Sequence, residues 1–570
     1  MSDDRQPGNG AIPTASRALA IASLLVLFLV LLLPAHPRDL VPGAFLRLPL
    51  ELPLVVLAML FTRGAASVAL RSLVVAAAGL LLLLRLADLG SRLAFDRDFS
   101  PLVELHLIGD GWNLASATVG RLEAALAALT ALIVFALLCS LLYRGLGKLS
   151  RLAGRPRRAA ATLAALALTV GTGVLLAGRA VERELPVQAD LAHDIVARVQ
   201  AMKRSIDDQG AFVAELAADP LDGAPPPTFD ALAGRDVVLL FIESYGRSAL
   251  DGDGLREVVR PRLAGMERMI DAAGLHARSA WLESPIRGGR SWLAHATFAS
   301  GLTISDQARF DRLLASGRKS VNRLFGEAGW RTAALMPAIR LDWPEGGWYG
   351  FDEIRDFDEL GYAGEPFGWV TMPDQYTLSA FETLVRPPRD GRPVMAEIAL
   401  ISSHAPWTPL TEVLPWQDIG DGSVFDGSHR SGVPADELWN DRERLREHYI
   451  ASIDYTLEVI GEYLVRHGRN ALFVILGDHQ PSAIINGWEA TGEVPVHVVA
   501  DDPALLERLP RALWSDGMLP AEDLPGQPMA AMRAMLAERF EAGTPGEPVD
   551  GAPADGASGE GSAPSEPARP

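Results

Sequence analysis

The chain has 570 residues, 49% of them hydrophobic, a formal net charge of −19 at pH 7 and a single cysteine. The charge is split: 17 Lys and Arg stand against 10 Asp and Glu through residue 180, and 35 against 61 beyond it. A basic apolar half joined to an acidic half argues against a nucleic-acid partner, which needs a positive surface, and Cys139 alone leaves no intrachain disulfide.

A bilayer span takes about 20 mostly apolar residues. Four segments meet this, at 18–33, 66–84, 122–142 and 159–177, and a fifth, 45–61, qualifies with Arg47 and Glu51 snorkelling at the interface. The loop between the last two spans carries Arg144, Lys148, Arg151, Arg155, Arg157 and Arg158 and no acid. Such clusters stay in the cytoplasm, so everything after Arg179 is expected on the opposite side. The acidic 86–120 loop, with Asp88, Asp96, Asp98, Glu104 and Asp110, fits that outer face.

Residues 191–216 read as a helix with Ile195, Val199, Met202 and Ile206 on one side, and the Pro- and Gly-rich 219–228 as a linker. Five β-rich runs follow, at 237–242, 332–336, 394–400, 472–476 and 496–499. Helical patterns lie between them, the clearest placing Leu445, Tyr449, Ile453, Leu457, Ile460 and Leu464 on one face. The expected architecture is a multi-span α-helical membrane domain (1–180), a connector (181–230), an α/β domain with a mostly parallel central sheet (231–540) and a disordered tail (541–570). In such sheets ligands bind beyond the carboxyl ends of the strands.

Two strands end in metal-ligand chemistry. One runs into Glu243-Ser244-Tyr245-Gly246 and another into Gly477-Asp478-His479-Gln480-Pro481. A carboxylate at one end and an Asp-His pair at the other make a mixed O/N set suited to Zn²⁺ or Mn²⁺, with Mg²⁺ also compatible. A third segment, Gly288-Gly289-Arg290-Ser291-Trp292, offers a hydroxyl after glycines at a helix start, read either as an outward-pointing nucleophile or as an ordinary N-cap.

Together these motifs resemble the alkaline phosphatase–sulfatase superfamily, and within it the membrane-bound lipoteichoic acid synthase-like phosphoglycerol transferases with their phosphoethanolamine transferase cousins. The resemblance implies a bacterial cytoplasmic-membrane enzyme with about five spans and a catalytic domain outside. It implies a metal held by Glu243, Ser291, Asp478 and His479, with Ser291 as nucleophile. It also implies a substrate-phosphate histidine at His404, in Ser403-His404, and Arg and Trp contacts at Arg340 and Trp343. The transferases place Thr where this chain has Ser291, and Thr297 lies close by as a rival. The implied reaction moves a phospho-alcohol headgroup, phosphoglycerol from phosphatidylglycerol, through a phospho-serine to a glycan or lipid acceptor.

Alternatives are a phosphoethanolamine transferase, a phosphodiesterase, or an inactive membrane sensor or scaffold. The phosphoethanolamine branch often carries disulfides that this chain cannot form. A sulfatase needs Cys/Ser-x-Pro-x-Arg, and Ser284-Pro285-Ile286-Arg287 lacks that spacing.

Overall fold

Apolar stretches dominate the first third of the chain, and in the computed structural model they become helices. It describes residues 14–542 apart from 96, 102–108, 110, 113–115, 117–119, 181–186, 190, 222–224, 388–389, 429–431 and 489. All but the first two residues of the expected tail therefore lie outside the described residues, as do Asp96, Glu104 and Asp110; Glu541 accepts the Thr228 N–H at 2.6 Å. The helices are α1 (Thr14–Leu32), α2 (Glu51–Phe61), α3 (Gly64–Phe95), α4 (Arg121–Leu149) and α5 (Gly154–Ala180). Those we number α3, α4 and α5 are long and apolar enough to cross a bilayer. α1 packs on α3 and α4 through Leu27, Val30, Ala78 and Leu142. The approach of α1 to α4 requires Gly145, where a Cβ would collide with the Ser23 side chain.

The 45–61 segment differs from expectation. Its first part is a 3-10 turn (Pro42–Leu46) and a short strand, Leu48–Pro49, paired in parallel with Val187–Gln188. Only the 11 residues of α2 are helical, which at about 1.5 Å per residue is roughly half a bilayer core. Glu51 accepts the Leu191 backbone N–H at 3.2 Å, tying α2 to the next helix, α6 (Leu191–Ala217).

The rest is built on one mixed nine-stranded sheet. We number its longer strands β1 (Asp236–Ile242), β2 (His276–Glu283), β3 (Arg331–Leu335), β4 (Glu353–Arg355), β5 (Val394–Leu400), β6 (Ala471–Gly477) and β7 (Glu493–Ala500). The order is β2-β7-β6-β1-β5-β3-β4, with Ser515–Asp516 and Gln527–Pro528 both pairing with β2. Strands β6, β1, β5, β3 and β4 run parallel, and β7 is antiparallel to both β6 and β2.

Central β1 is buried on both faces, which explains its unbroken apolar run. Val238, Leu240 and Ile242 meet one core layer, while Val237, Leu239 and Phe241 meet the other. The first layer is covered by α7 (Arg256–Ala272) and by α10 (Arg442–His467). Asp441 caps α10 by accepting the N–H groups of Glu443 and Arg444, and its expected apolar face is fully buried. The second layer is covered by α8 (Ser291–Ser300) and α9 (Gln307–Leu314), with Leu293, Phe298 and Phe310 pointing inward.

Candidate metal centre

Three neighbouring parallel strands deliver the site. Glu243 follows β1, Asp478-His479 follows β6, and Ser402-Ser403-His404 follows β5. The ladder continues one step past the strands: Glu243 N–H donates to Leu400 O at 3.0 Å and Asp478 N–H to Ile242 O at 3.2 Å. Gly477 is required here, because a Cβ would run into the Tyr245 carbonyl. Ser244 adopts a left-handed conformation (φ 57°), held by its N–H donating to Asp478 Oδ1 at 2.8 Å and by Tyr449 Oη donating to its carbonyl at 2.9 Å.

The segment that carries Ser291 is fastened to the same loops. Ser284 Oγ donates to Asp478 O at 2.6 Å and Gly288 N–H to Gln480 O at 2.9 Å. Gly288, Gly289 and Arg290 all have positive φ, so the chain turns sharply and Ser291 opens α8. Ser291 Oγ then donates to Glu243 Oε2 at 2.8 Å and lies 3.3 Å from His479 Nε2.

Ligand atoms of Glu243, Asp478 and His479 all lie within 4.8 Å of one another, and Ser291 joins them. His479 Nδ1 faces the Gln480 carbonyl at 2.8 Å. A carbonyl only accepts, so Nδ1 donates to it and Nε2 is the nitrogen that faces the centre; with a divalent ion bound there, Nε2 would give up its proton and offer its lone pair. Two carboxylates, one hydroxyl and one imidazole are a donor set for a divalent cation.

Charge in the centre is concentrated. Burial would raise the Glu243 carboxyl, but the charges of His479 and His404 and hydrogen bonds from His479 and Ser244 hold it well below the usual range. Burial and the Glu243 charge push Asp478 up to about 6. Burial would lower His479, yet the two carboxylates raise it to about 9. The pocket thus draws positive charge, in keeping with a cation site.

His404 sits at the rim, half-buried, close enough for its charge to act on Glu243, with Nδ1 at 2.6 Å from the Ala405 carbonyl. Its neighbour Ser403 donates to Glu243 O at 2.5 Å. Arg340 and Trp343 are not brought in. Arg340 is exposed and stacks on Phe357 at 4.4 Å, and Trp343 packs with Tyr349 and Phe351. Among the described residues, neither has a hydrogen bond, ion pair or ring contact with the four centre residues.

No family model matches the chain, and no curated protein matches it in sequence. Solved structures do match. The lipoteichoic acid synthase LtaP from Listeria monocytogenes is 15% identical over 58% of this chain and 78% of its own, with a TM-score of 0.37. The Streptococcus pyogenes phosphoglycerol transferase GacH, in complex with sn-glycerol-1-phosphate, is 12% identical over 59% and 80%, also at 0.37. The C-terminal periplasmic domain of the phosphoethanolamine transferase EptC from Campylobacter jejuni is 12% identical over 55% and 96%, at 0.35. At these identities and scores the likeness assigns no chemistry to this chain.

Several residues near the centre carry no motif signal. Asp374, fully buried, accepts the N–H groups of Ile401 (2.7 Å) and Ser402 (3.0 Å) and the Thr456 hydroxyl (2.7 Å), fixing the turn that presents His404. Glu397, in the middle of β5, meets His295 Nδ1 at 2.7 Å, and the His295 charge is felt by Asp478. An acid inside an apolar strand was the available signal for Glu397. Arg290, 5% exposed, is pushed down to about 10 by burial, partly offset by Asp306. Arg97, from the segment after α3, is pushed down to about 9 by burial and by the Arg290 charge. Nothing local in the sequence links Arg97 to Arg290; only the fold does.

Proposed function

We propose that this chain is a membrane-bound, metal-dependent phosphotransferase that moves a phospho-alcohol headgroup, phosphoglycerol from phosphatidylglycerol, to an alcohol of a glycan or lipid outside the cytoplasm. The observation that carries the reading is the convergence of Glu243, Ser291, Asp478 and His479 beyond the carboxyl ends of adjacent strands, with a hydroxyl aimed at the ligand atoms. A divalent ion held by these four, Mn²⁺ or Zn²⁺, would make the Ser291 hydroxyl more acidic and offset charge at phosphorus.

The protein's own groups account for the remaining steps. Glu243 Oε2 is placed to accept the Ser291 proton. Ser291 Oγ bonds to phosphorus as the diacylglycerol oxygen leaves and takes up a proton. His404 at the rim holds a nonbridging oxygen, a contact whose loss costs about 10²–10³ in rate. The acceptor hydroxyl then attacks phospho-Ser291, gives up its proton and restores the free serine. Side matters too: α3 ends and α4 begins at one end of the bundle, and Arg97 at that end lies near enough to Arg290 and Asp306 for their charges to act on it. The catalytic domain and the 86–120 loop therefore share a side, opposite the basic turn between α4 and α5, in keeping with an extracytoplasmic domain.

The purified chain with Mn²⁺ or Zn²⁺ should release diacylglycerol from fluorescent phosphatidylglycerol. Ser291→Ala should abolish both turnover and labelling of the protein by the phospho-group. A folded, metal-loaded protein that turns over no phospholipid would sink the proposal in favour of a scaffold.

A further inference from the structure

We infer that α6 lies in the headgroup layer of the bilayer, with Ile195, Val199, Met202 and Ile206 seated among the lipids. The inference rests on reading α3, α4 and α5 as membrane spans and is independent of the phosphotransfer chemistry.

The four residues recur at spacings of four, three and four, so they form one stripe along the helix. A stripe of this kind normally faces a core, yet here the residues are 54%, 62%, 46% and 59% exposed. The helix is nonetheless well anchored elsewhere. Phe212 is fully buried in the catalytic core beneath the Arg309 guanidinium, which lies 4.6 Å from its ring. Arg309 also pairs with Asp208, and Arg312 donates to the Gln209 side chain at 2.9 Å. One flank of α6 thus belongs to the catalytic domain, and the apolar stripe lies beside that flank.

The depth of the helix follows from its first turns. Asp194 pairs with Arg85 and Arg198 with Asp88. Arg85 and Asp88 are the first charged residues after the apolar run of α3 that ends at Leu84. They mark the level where hydrocarbon gives way to headgroups. The exposed apolar surface of α3, including Leu80 at 60% and Leu83 at 51%, leads up to that level, so the stripe continues a lipid-facing surface. The side of α6 opposite the stripe carries His193, Gln200 and the exposed Arg204, and Lys203 flanks the stripe where it can reach anionic headgroups. An apolar stripe with polar flanks, held at this depth, is the arrangement of an interfacial helix.

Single cysteines in the full chain test this, on a Cys139→Ala background labelled with an environment-sensitive fluorophore. The protein is reconstituted in phosphatidylglycerol–phosphatidylethanolamine vesicles with brominated acyl chains. Val199→Cys and Ile206→Cys should be quenched by the lipid bromines, at about half the efficiency seen for Leu83→Cys or more, and shielded from aqueous iodide. Arg204→Cys should show the reverse. The inference is overturned if positions 199 and 206 are open to iodide while position 83 is quenched by lipid. It is equally overturned if they are shielded from both quenchers and crosslink to a second copy. An unquenched position 83 would remove the membrane reading and this inference together.

Discussion

Ser291 and Thr297 lie on one short helix, and their surroundings divide their roles. Thr297 is 1% exposed; its hydroxyl donates to Leu293 O at 2.7 Å and accepts the Ile304 N–H at 2.9 Å. The first bond closes back within α8 and the second fastens the helix to the next loop; neither partner is Glu243, Asp478 or His479. Thr297→Ala should leave phospho-labelling of the protein intact while lowering stability by about 1–3 kcal/mol, because the Ile304 N–H is left buried without its acceptor. Denaturant melts alongside mass spectrometry of the labelled peptide check both halves; loss of labelling in Thr297→Ala with Ser291 intact would reverse the assignment. The sequence favoured Ser291 by resemblance and by its place after two glycines, with Thr297 as a rival. Both residues are hydroxyls in the same helical stretch, and only the turn at Gly288, Gly289 and Arg290 sends one outward. Arg340 and Trp343 were named only by the resemblance, and here one stacks on Phe357 and the other packs with Tyr349.

Among the elements, β1 and β6 were legible because each is an essentially unbroken apolar run buried on both faces, whereas the three-residue edge strand β4, Glu353-Ile354-Arg355, left no such signal. β2 was not legible either, because its sequence HARSAWLE includes Arg278 and Ser279. Both are buried: Arg278 donates to the Leu506 and Leu509 carbonyls and pairs with Asp516. Opposite Ser279 on the antiparallel partner β7 stands His497, fully buried. Its Nδ1 meets Ser279 Oγ at 2.8 Å and its Nε2 meets Tyr245 Oη at 3.2 Å. Burial pushes His497 down to about 3, so the folded state holds it neutral. Below the ordinary histidine range the unfolded chain binds the proton more readily, and stability must fall as pH drops from about 6.5 toward 3. The slope from this group is at most about 1.4 kcal/mol per pH unit. Asp374, raised to about 6 by burial, acts in the opposite sense: its contribution is present below about 4 and lost as pH rises toward 6. The comparison must therefore isolate His497. Between pH 7.5 and 5, His497→Gln should be less stable than the parent at the top of the range, with the gap narrowing steadily on acidification. A constant gap in denaturant melts would show that His497 is not held neutral.

For the whole molecule, the decisive contacts join segments that are remote in sequence. The membrane helices do more than tether: α3 carries Arg85 and Asp88 to α6, and the chain just beyond it carries Arg97 to within reach of the Arg290 charge beside Ser291. The Asp88 side chain is fully buried, whereas that of Arg198 is 31% exposed. Removing one partner of a buried pair costs about 3–5 kcal/mol; solvent screening of Arg198 reduces this to about 1–3 kcal/mol. Arg198→Ala should lower the melting temperature of the full chain in detergent, and adding Asp88→Asn should recover part of the loss, since no uncompensated buried charge then remains. If the pair also sets the height of the catalytic domain, Arg198→Ala should reduce turnover of phosphatidylglycerol in vesicles more than turnover of a small water-soluble phosphodiester, whose access needs no alignment with the bilayer. Equal losses on both substrates would mean that the ion pair supports folding alone. A preferential loss on the lipid would mean that α3 and α6 together fix where the Ser291 hydroxyl meets the headgroup layer.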